Sequence, residues 1–536
     1  MEKNSAGDSY LQKYSDLFEQ VLNTKGLDLN GYLDSKKDKI NDKKMIVISE
    51  ALKKNNSIRS LDLSFNKIKA EGITHLSEAL KINTSMKILT LKNNNFGVEG
   101  LKCLSEALKV NWSLNDLNLQ SNKINCEGIK HFSECLKTNS TLTNLELNMN
   151  EIGDEGMKYL SESLKINSAL KEINLSSNLY REEGSKFFSE ALKVNKTLKT
   201  LIQNGNKIKE GMKYYSECLI KNSTLKEIHF NSNRIDAEGI QFFCESLKKN
   251  CSLNVLSLSS NKFGSEGTKY LAEILNSKKN SLKILKLQNN KLGVEGIKYL
   301  CEPLKKNSSL EEIDLSGNRI GSEGIILFSE VLKINSSLKK IRLSTNKIAE
   351  EEMPCMQDLS ESLRINSFVK ELDLSHNKNI GIEGMKFLME SLIENTSIVV
   401  LDIQFSIFQF PFKTVYDVLK KNKNLLRFKH SFKFPKYQRK LIKYMVKCNH
   451  EWEPNIHEWF SESFRNSVFT LVCCLKQIGK ALPFRLSKFL FLEIIKRVDR
   501  KSFLKFEYFD LLVQIGAIEN NDKQEKRKRR REEENN

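Results

Sequence analysis

Hydrophobic positions recur along this chain with two short periods nested inside a long one. Leu61-Asp62-Leu63-Ser64-Phe65-Asn66-Lys67-Ile68 returns as Leu89-Thr90-Leu91 with Asn94, Leu117-Asn118-Leu119 with Asn122, and Leu145-Glu146-Leu147 with Asn150. The asparagine continues at 178, 206, 233, 261, 290, 318, 346 and 377, a spacing of 28 residues broken by one 27, one 29 and a final 31. Inside each unit the Leu-x-Leu segment alternates apolar with polar residues, the period of a half-buried strand. The segment after it changes period. In Glu71–Leu80 the apolar residues Ile73, Leu76 and Leu80 fall on one face of a helix. A strand plus a helix of this length cannot bury its own apolar side, so successive units must stack and share a core. Strands then pair in parallel. Because helices are wider than strands, the stack curves with the sheet on its concave side.

The asparagine at each strand exit is placed to bond backbone groups that a turn leaves unpaired, and stacked copies predict a ladder. A glutamate in the first helical turn complements the helix dipole. Asn83, Asn111, Asn139, Asn167 and Asn195 stand where a left-handed residue would end each helix. Four places depart from the pattern. Gln203 replaces a strand leucine, Lys209-Glu210-Gly211 is one residue short, Pro303 falls within a helix, and residues 350–358 carry an insertion of about three.

The unit Asn-Lys-Ile-x-x-Glu-Gly-Ile-Lys-x-Leu-Ser-Glu-x-Leu-Lys-x-Asn-Ser-x-Leu, running over roughly residues 40–405, resembles the ribonuclease-inhibitor class of leucine-rich repeats. That class includes repeat regions of NOD-like receptors and of the Ran GTPase-activating protein. The resemblance implies an α/β leucine-rich repeat solenoid, a curved horseshoe with its parallel sheet inside and helices outside, of about thirteen repeats. It does not specify a function.

The ends lose the repeat. Residues 1–42 read as an N-terminal cap: Tyr10, Leu11, Tyr14, Phe18 and Val21 have helical spacing, and Leu33 and Ile40 sit one period before Leu61 and Ile68. The solenoid is expected over 43–429. Phe405, Phe408, Phe410 and Phe412 crowd around Pro411, and Tyr416–Leu426 offers a last degenerate helix. Apolar runs at 441–446, 468–478 and 486–498 mark a helical C-terminal domain over 430–518 that closes the open end. A polar, basic, disordered tail is expected over 519–536.

Composition narrows the setting. The hydrophobic content of 39% supports a continuous core, and the net charge of +19 is concentrated in the C-terminal quarter. The eleven cysteines are odd in number and scattered, as expected of reduced thiols in the cytoplasm. No run approaches the roughly 18 apolar residues of a membrane span. Lys526-Arg527-Lys528-Arg529-Arg530-Arg531 fits a nuclear-localisation signal or a phosphate-binding patch, so a nuclear address stays open, as does weak contact of the basic C-terminal region with nucleic acid or an anionic surface.

Candidate chemistry lies on the concave face. The residue between the two strand leucines points outward, which nominates Asp62, Asn118, Glu146, Asn174, His229, Lys286, Asp314, Arg342 and Asp373 as protein-binding residues, with Phe65, Met149 and His376 as further anchors. No catalytic constellation and no cofactor motif stand out. There is no P-loop, and Cys448, His450, His457, Cys473 and Cys474 lack the spacing of a zinc site. The expected function is therefore non-catalytic: a scaffold or sensor that binds a protein through the concave face. Two alternatives rest on resemblance. Ala481-Leu482-Pro483-Phe484-Arg485-Leu486 before an amphipathic helix is similar to F-box and SOCS-box modules, which implies a substrate-recognition adaptor of a ubiquitin ligase. Asn93-Asn94-Asn95-Phe96-Gly97 resembles a loop of the Ran GTPase-activating protein, although the acidic segment that follows the repeats in that family is missing here.

Overall fold

The computed structural model describes residues 14–24, 26–28, 39–277, 279–348, 354–378, 380–407 and 409–434, and five residues between 438 and 446. Among them, fifteen short parallel strands form one sheet in strict sequence order, from β1 (Gly26–Asp28) and β2 (Ser60–Asp62) to β14 (Val400–Ile403) and β15 (Arg427–His430). A helix follows each strand up to β14 wherever the connection is described, and each helix packs on the helix of the next repeat. One apolar core runs the length of the array, with the strand leucines inward and the helices closing it from outside. This is the leucine-rich repeat solenoid that the periodicity predicts.

The asparagine at each strand exit forms the expected ladder. Asn122 is fully buried; its Nδ2 donates to the carbonyls of Leu91 and Leu119, both at 3.0 Å, and its Oδ1 accepts from the amide of Asn94 at 2.9 Å. The same bonds recur rung by rung to Asn377, whose Nδ2 reaches the Leu343 carbonyl at 3.0 Å. At the next repeat Ser406 takes over, its hydroxyl donating to the Leu374 carbonyl at 2.8 Å.

The helix ends do not take the left-handed form expected of them. Asn83 sits at φ −70°, ψ 120°, and Asn139 and Asn195 are likewise extended. The reason lies in the side chain. Asn83 Oδ1 accepts from the amides of Ser85 and Met86, while its Nδ2 donates to the carbonyls of Leu52 and Asn55 in the preceding repeat. The amide thus caps the helix and bonds the neighbouring repeat at once, so no left-handed residue is needed. This second ladder reaches the first helix, Ser15–Leu22, where Asn55 Nδ2 donates to the carbonyls of Val21 and Leu22. Left-handed backbone appears instead at the strand exit, at the residue just before each first-ladder asparagine, from Phe65 and Asn93 to His376.

The irregular repeats are absorbed locally. The strand position before Leu61 is held by Leu27, six residues ahead of Leu33, whereas Ile40 does occupy the Ile68 position, its amide donating to Asn66 Oδ1. The missing residue near Gly211 shortens the following helix to Met212–Lys221. The helix Gly293–Lys306 runs on past Pro303. The insertion before Pro354 leaves the sheet undisturbed, since Arg342 still pairs with Asp373. At the far end Phe410 stacks on Phe432 at 5.3 Å and Phe412 meets Phe434 edge-on at 5.5 Å.

Gln203 is a polar intrusion in the strand-leucine position, which His430 also takes on the last strand. The glutamine is fully buried beside the buried hydroxyls of Tyr180 and Tyr215, and its amide atoms make no hydrogen bond of good geometry. A buried polar group without a partner costs about 1–3 kcal/mol. Gln203→Leu is therefore expected to raise stability by about 1 kcal/mol or more in urea unfolding; a loss would show that the amide is satisfied in solution.

Candidate concave binding face

Strand alternation puts not one but two residues of each three-residue strand on the concave face, either side of the buried leucine. The sequence reading took only the second. In register, the first residues run Asp116, Asn144, Glu172, Thr200, Glu227 along β4 (Asp116–Asn118), β5 (Asn144–Glu146), β6 (Glu172–Asn174), β7 (Thr200–Ile202) and β8 (Glu227–His229). The second residues run Asn118, Glu146, Asn174, Ile202, His229. The i, i+2 rule that identifies one column identifies both.

The two halves of the face differ in how their charges are met. On β11 (Glu312–Asp314), β12 (Lys340–Arg342) and β13 (Glu371–Asp373) they neutralise one another. Arg342 hydrogen-bonds Glu312 and lies 3.7 Å from Asp314, and Lys340 pairs with Glu371 at 2.9 Å. Next along, Lys429 pairs with Asp402 at 2.9 Å. Asp314 is only 2% exposed. It accepts from the Ser316 amide and from Gln288, and burial raises its pKa against the lowering pull of these bonds and of Arg342. Asp314 is thus part of the internal wiring of the sheet rather than a surface contact.

On β4 to β8 the carboxylates have no such cations. Among the described residues Asp116, Glu146 and Glu172 make no ion pair with Lys or Arg. Glu146 accepts from Asn174 Nδ2 at 2.7 Å, and Glu227 meets His229 at 2.7 Å. Desolvation raises the pKa of Asp116, Glu146 and Glu172, and neighbouring carboxylates push Glu146 and Glu172 further the same way. Each of these pKa values is raised from its ordinary value, so the charged form is disfavoured by the fold.

Rim anchors border this face. Phe65, Met149 and Phe405 take left-handed backbone at the position that Gly205 and Gly317 fill in other repeats, and all three side chains are exposed. Left-handed backbone costs about 1–2 kcal/mol for an L residue with a side chain. Met149 sits over the acidic half, accepting weakly through its sulfur from Gln120 and Ser121. His376 stacks on Phe405 at 4.7 Å. Asn93, Asn95 and Gly97 are left-handed too, but so are Met149, Glu151 and Gly153 one repeat pair on. The loop is therefore a repeat feature and distinguishes nothing.

Eight segments of the chain, at residues 54–77, 83–105, 138–161, 221–244, 249–272, 278–301, 306–329 and 366–389, match the family described as Leucine Rich repeat. The chain carries leucine-rich repeats. No curated protein matches it. Among solved structures it is similar to a chain of the Rad7 and Elc1 complex of yeast, with 16% identity, a TM-score of 0.44, and coverage of 70% of this chain and 89% of that one. It is also similar to actin-binding site 2 of leiomodin-1, with 21% identity, a TM-score of 0.23, and coverage of 25% and 78%. Among the described residues of this repeat protein no helix is long and apolar enough to cross a membrane. Leu482, the cysteines and histidines at 448, 450, 457, 473 and 474, and the basic run Lys526–Arg531 lie outside the described residues.

Proposed function

We propose that this leucine-rich repeat protein is a non-catalytic binding scaffold whose contact zone is the acidic half of the concave face. The observation that carries the reading is the contrast between its two halves. One half pairs several of its charges internally, whereas Asp116, Glu146 and Glu172 are held half-buried with no ion pair to Lys or Arg among the described residues. A partner segment that presents Lys or Arg to these carboxylates, and an apolar side chain to Met149, would supply what the sheet withholds. Of the nine residues expected to bind, Asn118, Glu146, Asn174 and His229 belong to this zone. Asp62 precedes it, and Lys286, Asp314, Arg342 and Asp373 follow it, Asp314 and Arg342 being neighbours in the internally paired part. The ribonuclease-inhibitor-like assignment rests on the 28-residue period and on the full helix in nearly every repeat.

The full chain carrying Glu146→Lys and Glu172→Lys is expected to lose captured partners at least tenfold in a quantitative pull-down, with Lys286→Glu retaining them. Equal capture by the double variant and the wild type would place the contact elsewhere.

A further inference from the structure

The turns that lead from each helix into the next strand line one edge of the solenoid, at right angles to the concave face. The second asparagine ladder holds them in line. Asn111 Nδ2 donates to the Asn83 carbonyl at 3.2 Å, Asn167 to Asn139 at 3.1 Å, and Asn195 to Asn167 at 3.2 Å. The residue just before each of these asparagines is therefore fixed in a row along the edge.

Six residues of that row are apolar and open, interspersed with Lys54, Lys221, Lys249 and Lys306. Ten large hydrophobic side chains of the described protein are half exposed or more, and eight of them stand on this edge; Met149 and Leu179 are the other two. Ile82, Val110, Ile166, Val194 and Ile334 occupy the position before the asparagine, and Trp112, 66% exposed, follows Asn111. Scattered exposed hydrophobics need no account, but six at one and the same repeat position do. The ladder explains why the asparagine is there and does nothing to explain isoleucine or valine beside it.

The same edge is basic. By sequence, the fourteen helix-to-strand connections after β1 carry sixteen Lys or Arg and one carboxylate, Glu311. Lys171, Lys196, Lys199, Lys226, Lys249 and Lys370 make no ion pair among the described residues. One helical turn deeper, Glu106, Glu162 and Glu190 each hold their own lysine at the helix end (Lys109, Lys165 and Lys193). Such exposed pairs are weak and readily given up.

The geometry points to this edge as a docking face for an anionic lipid bilayer. Aliphatic side chains and a tryptophan at a common height, set among lysines, match the interfacial zone, where the apolar groups enter the acyl boundary and ammonium groups meet lipid phosphates. Nucleic acid fits less well: fifteen of the sixteen cations are lysines, Arg59 being the exception, and isoleucine and valine have nothing to stack on. The concave face stays free when the edge is seated, so the proposal stands apart from the function proposed above.

The test is co-sedimentation of the full chain with vesicles of phosphatidylcholine alone and with about one third phosphatidylserine, at low and physiological salt. Binding is expected to the anionic vesicles only, to weaken with salt, and to shift the tryptophan emission to the blue. Trp112→Ser with Ile166→Ser should weaken it about tenfold or more, given roughly 0.8 kcal/mol for each buried methylene. Trp112→Phe should keep binding and reduce the blue shift. Circular dichroism confirms that these exposed substitutions leave the fold intact. Three outcomes overturn the proposal: no sedimentation; undiminished binding by Trp112→Ser with Ile166→Ser; or loss of binding only when Lys526–Arg531 are neutralised, which would assign it to the tail. Tighter binding to a DNA or RNA duplex than to the vesicles would also overturn it.

Discussion

Asn178→Ala is expected to destabilise the protein by about 2–3 kcal/mol, more than the few atoms removed would suggest. Asn178 is fully buried at a strand exit in the middle of the array. Its Oδ1 accepts from the amide of Asn150 at 2.8 Å, and its Nδ2 donates to the carbonyl of Leu147 at 3.0 Å. Alanine leaves the buried Asn150 amide without its partner, at about 1–3 kcal/mol, and takes one of two donors from the Leu147 carbonyl, which keeps Asn150 Nδ2. The position also joins one repeat to the next, and an array of this kind is stabilised chiefly by its interfaces with neighbours. The substitution is expected to lower the urea midpoint and to divide unfolding into two steps, since the halves on either side keep their own rungs. Circular dichroism with increasing urea reads both. A loss below about 1 kcal/mol would mean that the ladder is dispensable and that leucine packing alone carries the stack.

The fold was legible because one physical requirement is repeated many times. Leu61, Leu89 and Leu117 show strand alternation, Ile73, Leu76 and Leu80 show helical spacing, and the asparagine marks the turn between them. Agreement among so many copies removes the ambiguity that a single short apolar run would have. The helix ends were misread for a local reason. An asparagine near a helix terminus can accept left-handed backbone, or can cap through its side chain with ordinary backbone, and a single sequence does not separate the two. The distinction depends on what the neighbouring repeat offers. Here the Leu52 and Asn55 carbonyls lie within reach of Asn83 Nδ2.

The candidate site was half legible. Alternation identified Glu146 and Asn174 as concave, and applying it to the first strand residue would have added Asp116, Glu172 and Glu227. What no periodicity reveals is which charges find partners across strands. Arg342 and Glu146 look alike in a column of polar residues. Only the register shows that Arg342 lies beside Glu312 and Asp314, while Glu146 lies beside Asn118 and Asn174. The exposed edge was missed because the asparagine beside each isoleucine drew the reading toward helix capping.

That difference makes Arg342 a poor probe of binding and a strong probe of stability. Arg342→Glu is expected to cost roughly 3 kcal/mol, because it removes the cation between two carboxylates and adds a third negative charge beside them. The Glu312 side chain is 15% exposed and Asp314 3%, so water can do little to screen the repulsion. Arg342→Met separates the two contributions: it removes the cation without adding charge and should cost less than Arg342→Glu, and Asp314→Asn added to it should recover part of the loss by neutralising the more deeply buried partner. Urea unfolding at neutral pH measures all three. If Arg342→Glu unfolds at the wild-type midpoint, the ion pairs of this half carry no net stability, and the contrast with the unpaired half loses its force. If it is destabilised as expected while Lys286→Glu is not, loss of a partner on Arg342→Glu reports damage to the sheet. Only Glu146→Lys with Glu172→Lys, made where no internal pair is broken, then tests binding cleanly.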